Sequence, residues 1–276
     1  MKLMTSRAFI FLVLASIYSL TAQNKLKGNK IVVTENRDIS EFSKIEIRSN
    51  IDVILTQGNN QSVVVETDEN LQFAVLTEVK DNTLVIQLFK KIIKKKVLNV
   101  YITIDEFLDV ITTKDKATII ADRAFNFDSI IVNAEDDSKI IMDIKSDIFT
   151  LNTYESAHVK MNVNTDSIFI NANKTGKTNI NLNAEKAKLL MKGNSTAELS
   201  GNCKELIVVS ENKSNVRTSK LECHDAIVTA SDASDTYINS KISLTVSAIN
   251  SAEIYIYGNP EITIGKFADK AILRKK

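Results

Sequence analysis

Few side chains in this chain have a type and spacing that suggest chemistry. His158 and His224 stand far apart and neither sits in a nucleophile motif. A Ser/His/Asp relay needs three groups converging on one point, so both histidines are read as structural or solvent-facing. Cys203 and Cys223 are the two cysteines, close enough in the chain to fall in adjacent units of the repeat described below. They are either a disulfide or two buried thiols, and with His224 beside them they still lack a fourth ligand for zinc. Asp136-Asp137 and Asp232 with Asp235 read as acidic turns, because calcium takes about six to eight oxygens and no repeated acidic motif supplies them. No carboxylates are read as recurring on one outer face, aromatic residues make up 6%, and tryptophan is absent. A carbohydrate-active β-helix enzyme, which works with carboxylates in an aromatic groove, is therefore the alternative and not the primary reading. The glycine-rich phosphate-binding motifs are absent as well. Neither a cofactor nor a metal is expected.

The run Lys90–Lys96 (KKIIKKK) is the one dense basic stretch. It reads as a solvated loop or as an edge strand protected by lysine. The sharper alternative is a patch for an anionic polymer or a membrane surface. No aromatic residue is interleaved to stack bases, and 35 Lys+Arg balance 34 Asp+Glu. Nucleic acid is therefore not an expected partner.

The elements that must position these residues follow from a repeat. Ile130-Ile131-Val132-Asn133 is answered by Phe149-Thr150-Leu151-Asn152 and by Ile168-Phe169-Ile170-Asn171, each a constant step of 19 further along. Ile140, Met142 and Ile144 are followed at the same step by Val159, Met161 and Val163, then by Thr178, Ile180 and Leu182. A fixed period of this size means stacked units, each burying its apolar face only against its neighbours. Within a unit the alternation has period 2, as in Val159-Lys160-Met161-Asn162-Val163, so the units are strands and not helices. Coil starts are placed at Val110, Ile130, Phe149, Ile168, Leu189, Leu206, Ile227, Leu244 and Ile262, and their average step is again 19. The expected fold is an all-β, single-domain β-solenoid. At about 4.8 Å per layer it forms a rod on the order of 40 Å long. Outward asparagines recur with the same step: Asn133, Asn152 and Asn171; Asn162 and Asn181; Asn164 and Asn183. They bond to one another along the stack or, with Tyr154, form a polar face for a ligand.

The N-terminus stands apart. Lys2 and Arg7 precede the apolar run Ala8–Leu20, and Thr21-Ala22 follow. Residues 1–22 have the layout of a secretory signal peptide cleaved after Ala22. Residues 23–39 read as a polar lead-in and 40–276 as the β-helical domain. No later stretch is long and apolar enough to span a bilayer as a helix. Ala271-Ile272-Leu273 is followed by Arg274-Lys275-Lys276, a charged tail that blunts the last edge of the stack.

The order of motifs in the first hundred residues is also informative. Phe42-Ser43-Lys44-Ile45-Glu46-Ile47 leads to Val53-Ile54-Leu55-Thr56-Gln57-Gly58 and Val63-Val64-Val65-Glu66-Thr67-Asp68-Glu69-Asn70-Leu71. Asp81-Asn82-Thr83-Leu84-Val85-Ile86 and Val100-Tyr101-Ile102-Thr103-Ile104 then precede the Ser/Asn/Ala-rich repeat. Over about residues 40 to 270 this resembles the "putative auto-transporter adhesin, head GIN domain" family of exported bacterial proteins. The resemblance implies a β-helical fold, export and no established activity. Family members carry glycine at many coil turns; here Ser138, Ser156, Ser195, Ser214 and Ser251 mark comparable regions. The expectation is an exported, non-enzymatic interaction module in the periplasm, on the outer membrane surface or secreted. Its partner is a glycan or an envelope or surface protein. A purely structural envelope protein is a further alternative.

Overall fold

The computed structural model describes residues 25–276; the signal peptide read at residues 1–22 lies outside the described residues. The repeat is realised as a β-solenoid of about nine turns. Each coil contributes one long strand, as in Lys139–Thr153, His158–Ala172, Lys177–Met191 and Thr196–Ser210. The strand bends in its middle. Inward and outward residues alternate from Lys139 to Ser146, two exposed residues follow at Asp147 and Ile148, and alternation resumes at Phe149. The break in period 2 is a corner. It separates a first wall before the corner from a second wall after it, and a tight turn then leads to the next coil.

Parallel pairing holds identical positions in register across both walls. On the first wall Val53, Ile119, Ile140, Val159, Thr178, Ala197, Val216, Thr236 and Ile254 form one inward column. On the second, Ile111, Val132, Leu151, Ile170, Leu189, Val208, Val228 and Val246 form another. Apart from the buried hydroxyl residues Thr178 and Thr236, these residues belong to one continuous core. A one-residue slip would turn a whole column outward, so burial itself fixes the register.

The coil starts need correction at three places. Ile130, Phe149, Ile168, Leu206, Leu244 and Ile262 share one column, but its remaining members are Ala187 and Ala226. Leu189 sits two residues further along its strand, and Ile227 is the exposed neighbour of Ala226. Val110 pairs with Ile131, one residue off the column. Small inward alanines carry little apolar signal, so the larger residues nearby draw the eye.

The turns do not use serine in place of glycine. A left-handed residue marks each one: Asp115, Asp136, Glu155, Lys174, Gly193, Asn212, Asp232, Asn250 and Asp269. Only one is glycine, and Asp and Asn tolerate this conformation best among the others. Their side chains also do structural work. The carboxylate of Asp136 accepts from the Asp115 N–H at 3.0 Å, Asp232 from that of Asn212 at 3.2 Å, and Asp269 from that of Asn250 at 3.2 Å. Each satisfies the strained turn one coil earlier. Ser138, Ser195 and Ser214 lie two residues past the left-handed position and are buried; Ser156 and Ser251 lie one past it.

The two ends differ. Near the N-terminus the parallel order gives way to antiparallel strands. Ser62–Asp68 runs antiparallel to Leu98–Ile104 and to Val32–Arg37, closing the first wall, and Val75–Lys80 pairs with Thr83–Leu88 to close the second. A 3-10 helix, Glu69–Ala74, tucks Leu71 and Ala74 inside. The polar lead-in thus contributes two strands, Lys25–Lys27 and Val32–Arg37. At the other end Ile272–Lys275 pairs with Glu253–Tyr257. Arg274 and Lys276 lie over the ring of Tyr255 at 6.0 and 5.1 Å from its centroid, which anchors the charged tail. Deleting Ala268–Lys276 strips this strand and bares the N–H and C=O groups of Glu253–Tyr257, so the truncated protein is expected to associate end to end. Size-exclusion chromatography checks this; an unchanged elution profile would sink the idea.

Candidate functional site

The corner builds a surface feature that runs along several coils. Three columns run along it. Asn126, Lys145, Asn164, Asn183 and Asn202 end the first wall; Phe127, Ser146, Thr165, Ala184 and Cys203 turn inward at the bend. Between them and the second wall stand Asp128, Asp147, Asp166 and Glu185, followed by Lys204 and His224. Together they line a groove. Its first part encloses about 510 Å³ and begins at Phe107, a ring 71% exposed. Its second part, about 260 Å³, continues through Asn183 and Glu185 to His224 and shares Asn164, Thr165 and Asp166 with the first.

The electrostatics of the groove are uneven. Lys204 forms an ion pair with Glu185. Among the described residues nothing pairs or hydrogen-bonds with the carboxylates of Asp128, Asp147 and Asp166. With coils about 4.8 Å apart, neighbouring carboxylates in one column repel each other. On the amide side Asn183 donates to Asn164 at 3.1 Å. The groove therefore presents a carboxylate in each of four successive coils, with an amide beside it in all but one, where Lys145 stands.

Sequence reasoning expected no repeated carboxylates on one outer face, and the structure corrects this. Asp128, Asp147, Asp166 and Glu185 follow one another at the step of 19, the period of the repeat itself. The signal was present. It is separate from the apolar and asparagine columns of the walls, because these acids sit where alternation breaks.

The six residues expected as a ligand face occupy two separate places. Asn162 and Asn181 are on the first wall, one outward position from Asn164 and Asn183, and Asn162 donates to Asp143 at 2.8 Å. Asn133, Asn152 and Asn171 are on the second wall. There Asn152 donates to Asn133 at 2.9 Å and Asn133 to Thr112 at 3.2 Å, while Asn171 reaches the hydroxyl of Tyr154 at 3.5 Å. Those second-wall amides are thus engaged with side chains of neighbouring coils. His158 is exposed on the first wall between Lys139 and Lys177, remote from His224. Among the described residues no group of three or more His, Cys, Asp or Glu is placed to hold a metal ion.

Cys203 and Cys223 face each other in adjacent coils with Cα atoms 4.6 Å apart, and they form a disulfide. It lies at the inner side of the groove, buried from solvent, and locks the two coils where the register slips between Glu198 and Ser200. Aromatic side chains gather elsewhere on the first wall. Tyr237 and Tyr255 stack at 4.5 Å with rings 7° from parallel. Tyr255 also carries Arg274 and Lys276 over its ring, while Tyr237 lines an open cavity of about 290 Å³ with Arg217 and Tyr257. The Tyr255 hydroxyl donates to Glu253 at 2.5 Å, and that bond pushes its pKa up to about 12. In the same region Asp235 stands beside Glu253. Partial burial, reinforced by the Glu253 charge and opposed by Arg217, holds the Asp235 carboxyl above its ordinary value.

Comparisons with known proteins follow the fold. Residues 41–161 and again 147–260 match the family described as "Putative auto-transporter adhesin, head GIN domain". A search of curated proteins gave no match. Among solved structures, a "putative adhesin" from Parabacteroides merdae ATCC 43184 is 18% identical, with a TM-score of 0.70 over 92% of this chain and 99% of that one. A "putative adhesin" from Parabacteroides distasonis ATCC 8503 is 16% identical, with a TM-score of 0.65 over 91% and 99% of the two chains. A "Putative lipid binding protein" from the same strain is 17% identical, with a TM-score of 0.62 over 91% and 99%. At these identities the likeness is one of fold. No helix among the described residues is long and apolar enough to cross a membrane.

Two outcomes follow from this geometry. Replacing both cysteines, Cys203→Ala with Cys223→Ala, should cost about 3 kcal/mol, the effect of opening a loop of this size. Urea denaturation at constant slope checks it, and an unchanged midpoint would contradict a stabilising crosslink. Because the Asp235 pKa is raised by folding, the native state loses stability as pH rises through that value. Asp235→Asn should therefore raise the thermal midpoint at pH 7. The gain should vanish below about pH 3.9, where the carboxyl is protonated in both folded and unfolded chains. A gain that is constant with pH would contradict the charge argument.

Proposed function

This chain belongs to the head GIN domain family, and on that premise we propose that it is an exported, non-enzymatic adhesin-like module that holds a glycan along its corner groove. In this reading residues 1–22 are a leader removed on export, and residues 40–276 are the working domain. The observation that carries the proposal is the column Asp128, Asp147 and Asp166, exposed and without partners, beside the amides of Asn126, Asn164 and Asn183. Carboxylates accept from sugar hydroxyls, and amides both donate and accept. Because the arrangement recurs coil by coil, a repetitive polymer meets comparable partners at each step. Phe107 offers an exposed ring at the mouth, and Asn162 and Asn181 extend the polar surface along the first wall.

The same geometry argues against hydrolysis. Neighbouring carboxylates in the column approach the separation of a retaining glycosidase pair, about 5–5.5 Å. Such a pair, however, needs one carboxyl kept protonated by burial and one left ionised. Asp128, Asp147 and Asp166 are all exposed.

The test is a glycan array probed with the chain from Gln23 onward, followed by titration of the best ligand. Asp147→Ala with Asp166→Ala should weaken binding at least about ten-fold, the loss of two charge-assisted hydrogen bonds. Asn152→Ala with Asn171→Ala, on the second wall, should leave it unchanged. Absence of glycan binding, or equal losses in both variants, would overturn the groove assignment. Cleavage of the bound glycan would overturn the non-enzymatic reading. Protease treatment of intact cells tests export: digestion from outside places the protein on the surface.

A further inference from the structure

The N-terminal end of the stack combines cations and bared apolar side chains. Lys25–Lys27 pairs in parallel with Lys91–Lys94, setting Lys25 opposite Lys91 and Lys27 opposite Lys94. Like charges placed opposite one another across a strand pair are destabilising. Lys90, Lys95 and Lys96 extend the basic run. Among the described residues none of these lysines lies within ion-pairing distance of a carboxylate. Among the described residues no ion pair neutralises the run, although the Asp68 carboxylate accepts from the Lys96 backbone N–H at 2.9 Å. Much of the Lys95 side chain is open to solvent, yet protein crowded around its ammonium lowers its pKa, with Asp52 opposing.

Apolar surface accompanies the charge. A cavity of about 520 Å³ opens beside the lysine ribbon, lined by Leu88, Ile92 and Leu98 together with Lys90, Lys95 and Lys116. Phe89 and Ile93 are 60% and 46% exposed, and Phe73 and Ile31 are similarly bared. The backbone ties these residues to one end of the rod. Phe89 N–H donates to Ala74 C=O at 2.8 Å, Gly28 N–H to Lys94 C=O at 2.8 Å, and Glu69 N–H to Ile31 C=O at 2.7 Å. Glu69 is the nearby acid of the 3-10 helix and accepts from Asn29 at 3.4 Å.

The geometry points to this end as a docking tip for an anionic phospholipid membrane, with Phe89 and Ile93 entering the headgroup layer and the lysines of residues 90–95 binding lipid phosphates. Apolar side chains rimmed by lysines are the composition of interfacial membrane binders, and anionic headgroups supply the counter-charge the fold leaves out. The end is distinct from the corner groove, so docking here would leave the groove free. The inference does not depend on the glycan reading.

Vesicle co-sedimentation tests it, using the chain from Gln23 onward so that the apolar leader is absent. Binding is expected to vesicles of equimolar phosphatidylcholine and phosphatidylglycerol, to be much weaker to phosphatidylcholine alone, and to fall as salt is raised. Each lysine should contribute about five-fold. Lys90→Gln, Lys91→Gln, Lys94→Gln and Lys95→Gln combined should therefore lower the partition coefficient on the order of several hundred-fold. Phe89→Ser with Ile93→Ser should lower it while keeping the preference for anionic vesicles. Asp147→Ala with Asp166→Ala should not change it. Equal binding to both vesicle types, or retention by the lysine variant, would overturn the proposal. So would capture by polyphosphate with no vesicle binding, which would make the partner a soluble polyanion. The comparison of the two vesicle types on the unsubstituted chain stands even if a variant misfolds.

Discussion

Register is the constraint on which this molecule depends. Successive coils of the repeat are hydrogen-bonded in parallel, and from Lys139 to Met191 the two walls pair position for position with no slip. The inward columns make that alignment costly to break, because a slip would exchange core for surface along the whole strand. The outward columns inherit the same alignment without having to stabilise it. A carboxylate placed at one point of the repeat is thereby stacked on the carboxylates of neighbouring coils, whatever the electrostatic cost.

The turns and the crosslink show how the register is kept where it is weakest. A left-handed residue is needed at each turn, and in this chain aspartate and asparagine supply most of them. Their side chains compensate by bonding to the backbone of the coil before. Glycine takes one of the turns, at Gly193, and a tighter place within a strand. At Gly201 an added Cβ would come within 2.1 Å of the Leu182 carbonyl oxygen. This is the stretch where pairing between coils shifts, and two residues later Cys203 is bonded to Cys223. Irregularity and reinforcement fall together.

Much of this was legible in the sequence. Alternating apolar residues that recur at one fixed period specify a stack of strands, and the three-coil ladder from Ile140 to Leu182 is paired as its spacing implies. The rest is masked in the sequence for physical reasons. Ala187 and Ala226 fill inward positions with little hydrophobic signal. Lys25–Lys27 and Val32–Arg37 are edge strands, and edges are polar because one side faces water. The acids of the groove sit at the corner, where a period-2 pattern fails by construction. They recur with the repeat as regularly as the asparagines do, but the corner is visible only once the chain is bent.

The dissimilar ends of the rod bear on how such a chain can change over generations. Antiparallel strands finish one end and a lysine-tipped strand the other, so the middle is made of interchangeable units with no end-specific duties. Duplication of a segment encoding one coil would lengthen the rod by a rung, add one acid and one amide to the groove, and leave both termini as they were. Reach and valency can then evolve in whole steps, independently of whatever the ends are attached to.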